Sequence, residues 1–342
     1  MNELLVGILT ALAVSNAPAA LRDAIDQSAG IKIEIPDKNN PIEREYQKLL
    51  AADDDAQEEV DAMIAKSARE KVKGDELGGI TLRARIRERL APVRKGYEDF
   101  LGKHPGHARA RLAFGSFLND LGEEPAAAGQ WEKARELDPR NPAAWNNLAN
   151  YYGHNGPVTN AFACYAKAIE LDPREPVYYQ NFATTVYLFR RDATNFFRIN
   201  EDEVFDKAMA LYRKALAIDP GNFHLATDLA QSYYGMKPKK TGTPEVDRAA
   251  EKKFYDEAVA AWRDAQKLAR DDTEREGIQL HYARLQINVG QFDEARASLG
   301  AVTNALYLGT KKNLEKKIAR LTGQEPATNA VPLIAPAPER AK

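Results

Sequence analysis

Apolar and small residues in the middle of the chain recur at separations of three and four. Trp145, Leu148, Ala149 and Tyr152 follow one another by three, one and three positions, and Ala161, Tyr165 and Ala168 by four and three. At 3.6 residues per turn each set falls on one face of a helix, so the segment predicts two amphipathic helices. Asn155-Gly156-Pro157 predicts the turn between them, and Asp172-Pro173 ends the second, because the residue before a proline is driven out of helical geometry. Ala149 and Ala161 are small enough for the two helices to approach closely while the aromatics fill the remaining space.

This hairpin is one unit of a repeat. Pro105, Pro139 and Pro173 stand 34 residues apart, and the last two close the similar phrases WEKARELDPRNP (131–142) and YAKAIELDPREP (165–176). With Pro142 as position 1, the named residues occupy positions 4, 7, 8, 11, 20, 24 and 27, with Gly156 at 15 and Pro173 at 32. The preceding unit places Phe114, Gly115, Leu118, Gly122, Ala127, Trp131, Ala134 and Pro139 on the same template, with Arg111 where position 4 is usually apolar. A third unit is split: Tyr179, Phe182 and Ala183 mark its first helix, and Ala208, Tyr212, Ala215 and Pro220 its second, so an insertion near 190–203 is expected. A fourth begins at Phe223 with Leu229, Ala230 and Tyr233 and resumes at Ala258, Trp262 and Ala265 after an insertion near 237–253. Tyr282, Ala283, Gly290, Ala295, Leu299 and Val302 form a weaker fifth, and Val93, Tyr97 and Phe100 before Pro105 read as the second half of a degenerate unit.

The period and the residues at its signature positions resemble the tetratricopeptide repeat family, with about five repeats over roughly 105–305. The resemblance implies an all-α fold, a right-handed α-solenoid superhelix of antiparallel helix hairpins. It also implies a non-enzymatic scaffold that binds a protein or extended peptide in a concave groove, lined by the first helix of each hairpin. Carried over position by position, the groove residues are Arg109, Asn146, Asn147, Asn150, Gln180, Asn181, Thr184, Asp228, Gln231 and Arg284, with His154, Tyr187, His224, Tyr234 and His281 also projecting there. Amides recur among them, and an amide carries both a donor and an acceptor for the backbone of an extended peptide. Asn147 and Asn181 share position 6, the place of an asparagine ladder in the superhelix resembling that of O-linked N-acetylglucosamine transferases; Asp228 either breaks the ladder or adds a charged contact. The cationic clamp for C-terminal carboxylates is not matched, because its positions hold mostly Asn, Gln, Ala or Val. The alternative function is a regulatory or assembly subunit of a cell-envelope or transferase complex.

The flanks divide the chain further. Residues 4–14, LLVGILTALAV, have the length of a signal-peptide core and are too short to span a bilayer. An A-x-A site lies at its end, Ala11–Ala13, but no basic residue precedes the run, so it is either a candidate signal peptide (1–19) or a buried segment of a cytoplasmic protein. Export to the periplasm is expected in the first case. Residues 20–79 read as a partly helical extension, with a short strand at Ile31–Ile35 and Asp53–Asp55 either as a solvated interruption or as the cap of a second helix. The solenoid is expected over 80–322, and the Pro/Ala-rich tail 323–342 is read as disordered.

Composition narrows the chemistry. The 342 residues carry 48 Lys plus Arg against 50 Asp plus Glu, so the basic excess that nonspecific nucleic-acid binding exploits is missing. The five histidines show no metal-ligand spacing, and Cys164 lies beside a core tyrosine without an orienting histidine. Asp53–Asp55 lack the spaced oxygens and glycine of a calcium loop, and Gly78-Gly79 lack a phosphate-loop context and read as a turn. No catalytic residue, cofactor, metal or small-molecule substrate is expected.

Overall fold

The computed structural model describes residues 40–71, 78–238 and 241–323. Those residues contain fourteen α-helices and two short 3-10 turns, and no strand. The apolar run 4–14, the expected strand at Ile31–Ile35 and the tail from 324 lie outside the described residues. The chain divides into two compact units, one ending at Pro139 and the other beginning at Arg140.

In the first unit, α1 (Pro41–Lys71) packs on α2 (Gly78–Lys103), α2 on α3 (Ala108–Asp120), and α3 on α4 (Glu124–Leu137). Tyr46, Leu50, Ala56 and Val60 of α1 and Leu90, Val93, Tyr97 and Phe100 of α2 are buried. Asp53–Asp55 neither interrupt nor cap a helix: α1 runs straight through them. Asp53 is only 9% exposed and accepts a 2.7 Å hydrogen bond from the Tyr97 hydroxyl, which offsets part of the cost of burying a carboxyl there. Gly78 and Gly79 open α2 rather than forming a turn. Arg111, at the usually apolar position 4, does not enter the core; its guanidinium donates to the Pro105 carbonyl and the Gln130 side-chain oxygen.

The second unit repeats the hairpin. It pairs α5 (Pro142–Asn155) with α6 (Val158–Leu171), α7 (Pro176–Leu188) with α9 (Glu201–Ile218), α10 (Phe223–Ser232) with α11 (Pro244–Lys267), and α12 (Asp272–Asn288) with α13 (Phe292–Gly300). Asparagines start two of the first helices: Asn141 accepts from the Ala143 amide and Asn222 from the Leu225 amide, satisfying donors that a helix end leaves open. At the α5–α6 turn Gly156 takes φ +68°, where a side chain would be strained. A final helix, α14 (Leu308–Leu321), lays Leu314 and Ile318 against α12 and α13 and closes the apolar cluster.

The expected insertion near 190–203 holds a short helix, α8 (Arg190–Phe197). Phe196 and Phe197 each lie 5.4 Å from the Phe162 ring, and the Lys207 ammonium sits 4.3 Å from the Phe197 ring centre. The segment near 237–253 contains a helical extension, since α11 starts at Pro244, well before the repeat's signature Ala258.

Candidate functional site

Four helices of the second unit, α5, α7, α10 and α12, are the first members of their hairpins and carry most of the candidate residues. Asn146 is 6% exposed, and its carbonyl oxygen accepts from the Asn181 amide at 3.1 Å, joining α5 to α7. Its own amide donates to Asn147 at 3.4 Å. Asn150 accepts a 2.6 Å hydrogen bond from the Tyr165 hydroxyl, and Thr185, which donates to the Asn181 carbonyl, also reaches that hydroxyl at 3.3 Å. One continuous polar chain thus runs Asn150, Tyr165, Thr185, Asn181, Asn146.

A second link joins α7 to α10. Gln180 donates to a carboxylate oxygen of Asp228 at 2.7 Å, and within the α7–α9 hairpin the Thr184 and Tyr212 hydroxyls share a hydrogen bond at 2.8 Å. Burial raises the carboxyl of Asp228 above the ordinary range, with the Gln180 bond working against it. Burial likewise pushes the Tyr212 hydroxyl up to about 12. Gln231 and His224 are exposed on the same helix. Between α10 and α12, His281 stacks 3.9 Å from Trp262, and its Nδ1 pairs with the Tyr234 hydroxyl at 3.0 Å. Burial, assisted by the charge of Arg284, lowers the imidazole to about 4, so the ring is neutral at physiological pH.

Arg109 belongs to the other unit. Its guanidinium pairs with Glu43 at 3.0 Å and lies 5.0 Å from the Tyr46 ring centre, so α1 engages it. The remaining nine candidate residues all fall in the second unit. His154 is exposed at the end of α5.

Sequence reasoning missed how these side chains are held. Unit position 24, filled by Trp131, Tyr165, Tyr212 and Trp262, is a core position, and in three of the four its polar tip bonds the first helix; the buried Trp262 indole N–H has no hydrogen-bond partner among the described residues. Tyr165 holds Asn150, Tyr212 holds Thr184, and the Trp131 indole donates to the Leu112 carbonyl at 3.3 Å. The signal was in the sequence: only aromatics with a hydrogen-bonding edge occupy that place in these four units. Among the described residues no group of three or more His, Cys, Asp or Glu is placed to hold a metal ion, and no helix is long and apolar enough to cross a membrane.

Residues 142–175 match the tetratricopeptide repeat family. No curated protein matches the chain. Among solved structures the chain is similar to Pseudomonas aeruginosa pilF, at 14% identity over 79% of this chain and 99% of that one, with a TM-score of 0.48. It is similar to PilW, described as a widely conserved type IV pilus biogenesis factor, at 14% identity over 69% and 95%, TM-score 0.49. YrrB, described as a tetratricopeptide protein with an unusual peptide-binding site, aligns at 12% identity over 67% and 98%, TM-score 0.44. Residues 142–175 are thus one tetratricopeptide repeat, and further helix hairpins precede and follow it in the chain.

Proposed function

We propose that the first-helix face of the second unit binds an extended segment of a partner protein, and that the chain acts as a non-enzymatic scaffold. The observation that carries the reading is the row of amides and a carboxylate laid across three consecutive first helices, with Asn146 bonded to Asn181 and Gln180 to Asp228. The half-buried Gln180 and Asn181 each keep a side-chain oxygen and a second amide hydrogen beyond these bonds, a capacity that suits the alternating N–H and C=O groups of an extended backbone. The inter-helix bonds hold the row in place before a partner arrives, which lowers the ordering cost of binding.

The test uses the exposed or half-buried members, Gln231 and Asn147, because the Asn181 amide also satisfies the buried Asn146. A displayed library of extended peptides selected on the full chain is expected to yield saturable binders. Gln231→Ala with Asn147→Ala is expected to weaken them by roughly five-fold to a hundred-fold, the loss of two neutral hydrogen bonds of about 0.5–1.5 kcal/mol each. Binders whose affinity is unchanged in the double variant would place recognition on another surface.

A further inference from the structure

The last described helix, α14, has an outward face that no other described element covers. Leu314 and Ile318 point into the core, and the direction opposite them is occupied by Lys312, Lys316 and Arg320, spaced one turn apart. Among the described residues none of the three has an ion pair. Five exposed cations on other helices each pair with an acid one turn away, Lys95–Asp99, Lys252–Asp256, Lys267–Asp264, Arg275–Asp272 and Arg296–Asp293. On α14 the residues four apart, Lys312, Lys316 and Arg320, are all cations, and like charges at that spacing repel; Glu315, three residues from Lys312, forms no ion pair with it. Glu315 is the single acid of the helix. Leu308, 48% exposed, sits one turn before Lys312, and Leu306, 71% exposed, lies just beyond it.

We propose that this face is a second docking surface, separate from the amide row, and that it takes an acidic helical segment of a partner protein. The cations run about 12 Å along the helix at 1.5 Å per residue, a periodic row that carboxylates spaced one turn apart on a partner helix match in register. The exposed leucines at one end give an apolar side chain of that segment a place to pack. A lipid surface fits less well. Interfacial helices sink an apolar face into the bilayer, and the apolar face of α14 is already committed to the core.

The proposal is tested with the full chain and a labelled helical peptide carrying three glutamates one turn apart, followed by fluorescence anisotropy at low and high salt. Saturable binding that weakens with salt is expected, as is weaker binding of a peptide of the same composition with its glutamates out of register. Lys312→Glu with Lys316→Glu is expected to lose roughly ten-fold or more in affinity, and to recover it with a peptide carrying lysines in place of the glutamates. Melting curves check that the variant folds; Lys316→Gln alone replaces it if it does not. Equal binding of the two peptide registers, or no binding, overturns the proposal. So does cation-dependent sedimentation with phosphatidylglycerol vesicles in the absence of peptide binding, or self-association of the chain that the double variant abolishes.

Discussion

Single residues in this protein are constrained by how closely neighbouring helices approach. A Cβ on Gly115 would fall inside the Trp131 indole, so the small residue at unit position 8 is demanded by the aromatic at position 24. Gly115→Ala is expected to lower stability by about 1–3 kcal/mol, the usual cost of overpacking a core, read from the urea midpoint. Gly235 stands against the Tyr187 ring and hydroxyl in the same way, and Gly235→Ala is expected to be partly relieved by Tyr187→Phe, which removes the nearest atom. His281 supplies a pH dependence. Its folded value, about 4, lies below the ordinary 6.5, so stability is fully present above about 6.5 and is lost as pH falls toward 4, because only the unfolded chain takes up the proton readily. The decline is expected to reach at most roughly 3 kcal/mol, and to be absent from that pH window in His281→Gln, compared by urea unfolding at several pH values.

At the scale of the element, the hairpins were legible in the sequence because their evidence is local. Trp131, Tyr165, Tyr212 and Trp262 sit at the same unit position, and each is buried against its own first helix. What was not legible depends on contacts distant in sequence. Nothing near Asp53 announces that Tyr97, 44 residues on, will supply a hydrogen bond to its buried carboxyl. Trp145 shows the converse: its spacing matches a core position, yet it is only half-buried, while Trp131 is 4% exposed. Trp131→Ala is therefore expected to cost about 3–5 kcal/mol and Trp145→Ala clearly less. The amide row was legible as positions on a face, but its internal bonding was not, since Asn146 meets Asn181 only when two hairpins stack. The Asp53–Tyr97 pair carries its own sign. Burial, only partly countered by the Tyr97 and Gln57 hydrogen bonds, raises the Asp53 carboxyl. Stability from this group therefore increases as pH falls through its folded value and is lowest when the carboxylate is ionised. Asp53→Asn, which keeps an acceptor for Tyr97 without the charge, is expected to match or exceed the parent at neutral pH. Asp53→Leu strands the buried hydroxyl and is expected to cost about 1–3 kcal/mol.

For the whole molecule, the two compact units give mutations a limited reach. Each unit has its own buried aromatics: Tyr97, Phe117 and Trp131 in the first, and Tyr165, Phe162 and Trp262 in the second. Within the second, the apolar cluster around Trp262 reaches Ile278 and Leu285 of α12, whose Leu280, Ala283 and Ile287 continue into the cluster around Ile318. Damage at one hairpin is thus passed to the next through shared side chains, as expected when stability is the sum of repeat and nearest-neighbour terms. Trp262→Ala is expected to raise amide hydrogen exchange through α10, α11 and α12 and, more weakly, in α13 and α14, while the protection of α2, α3 and α4 is kept. Trp131→Ala should produce the reverse, opening α3 and α4 and leaving the cluster around Trp262 protected. Exchange mapped by mass spectrometry on both variants separates this graded response from a single cooperative domain, in which either substitution would lower protection uniformly along the chain.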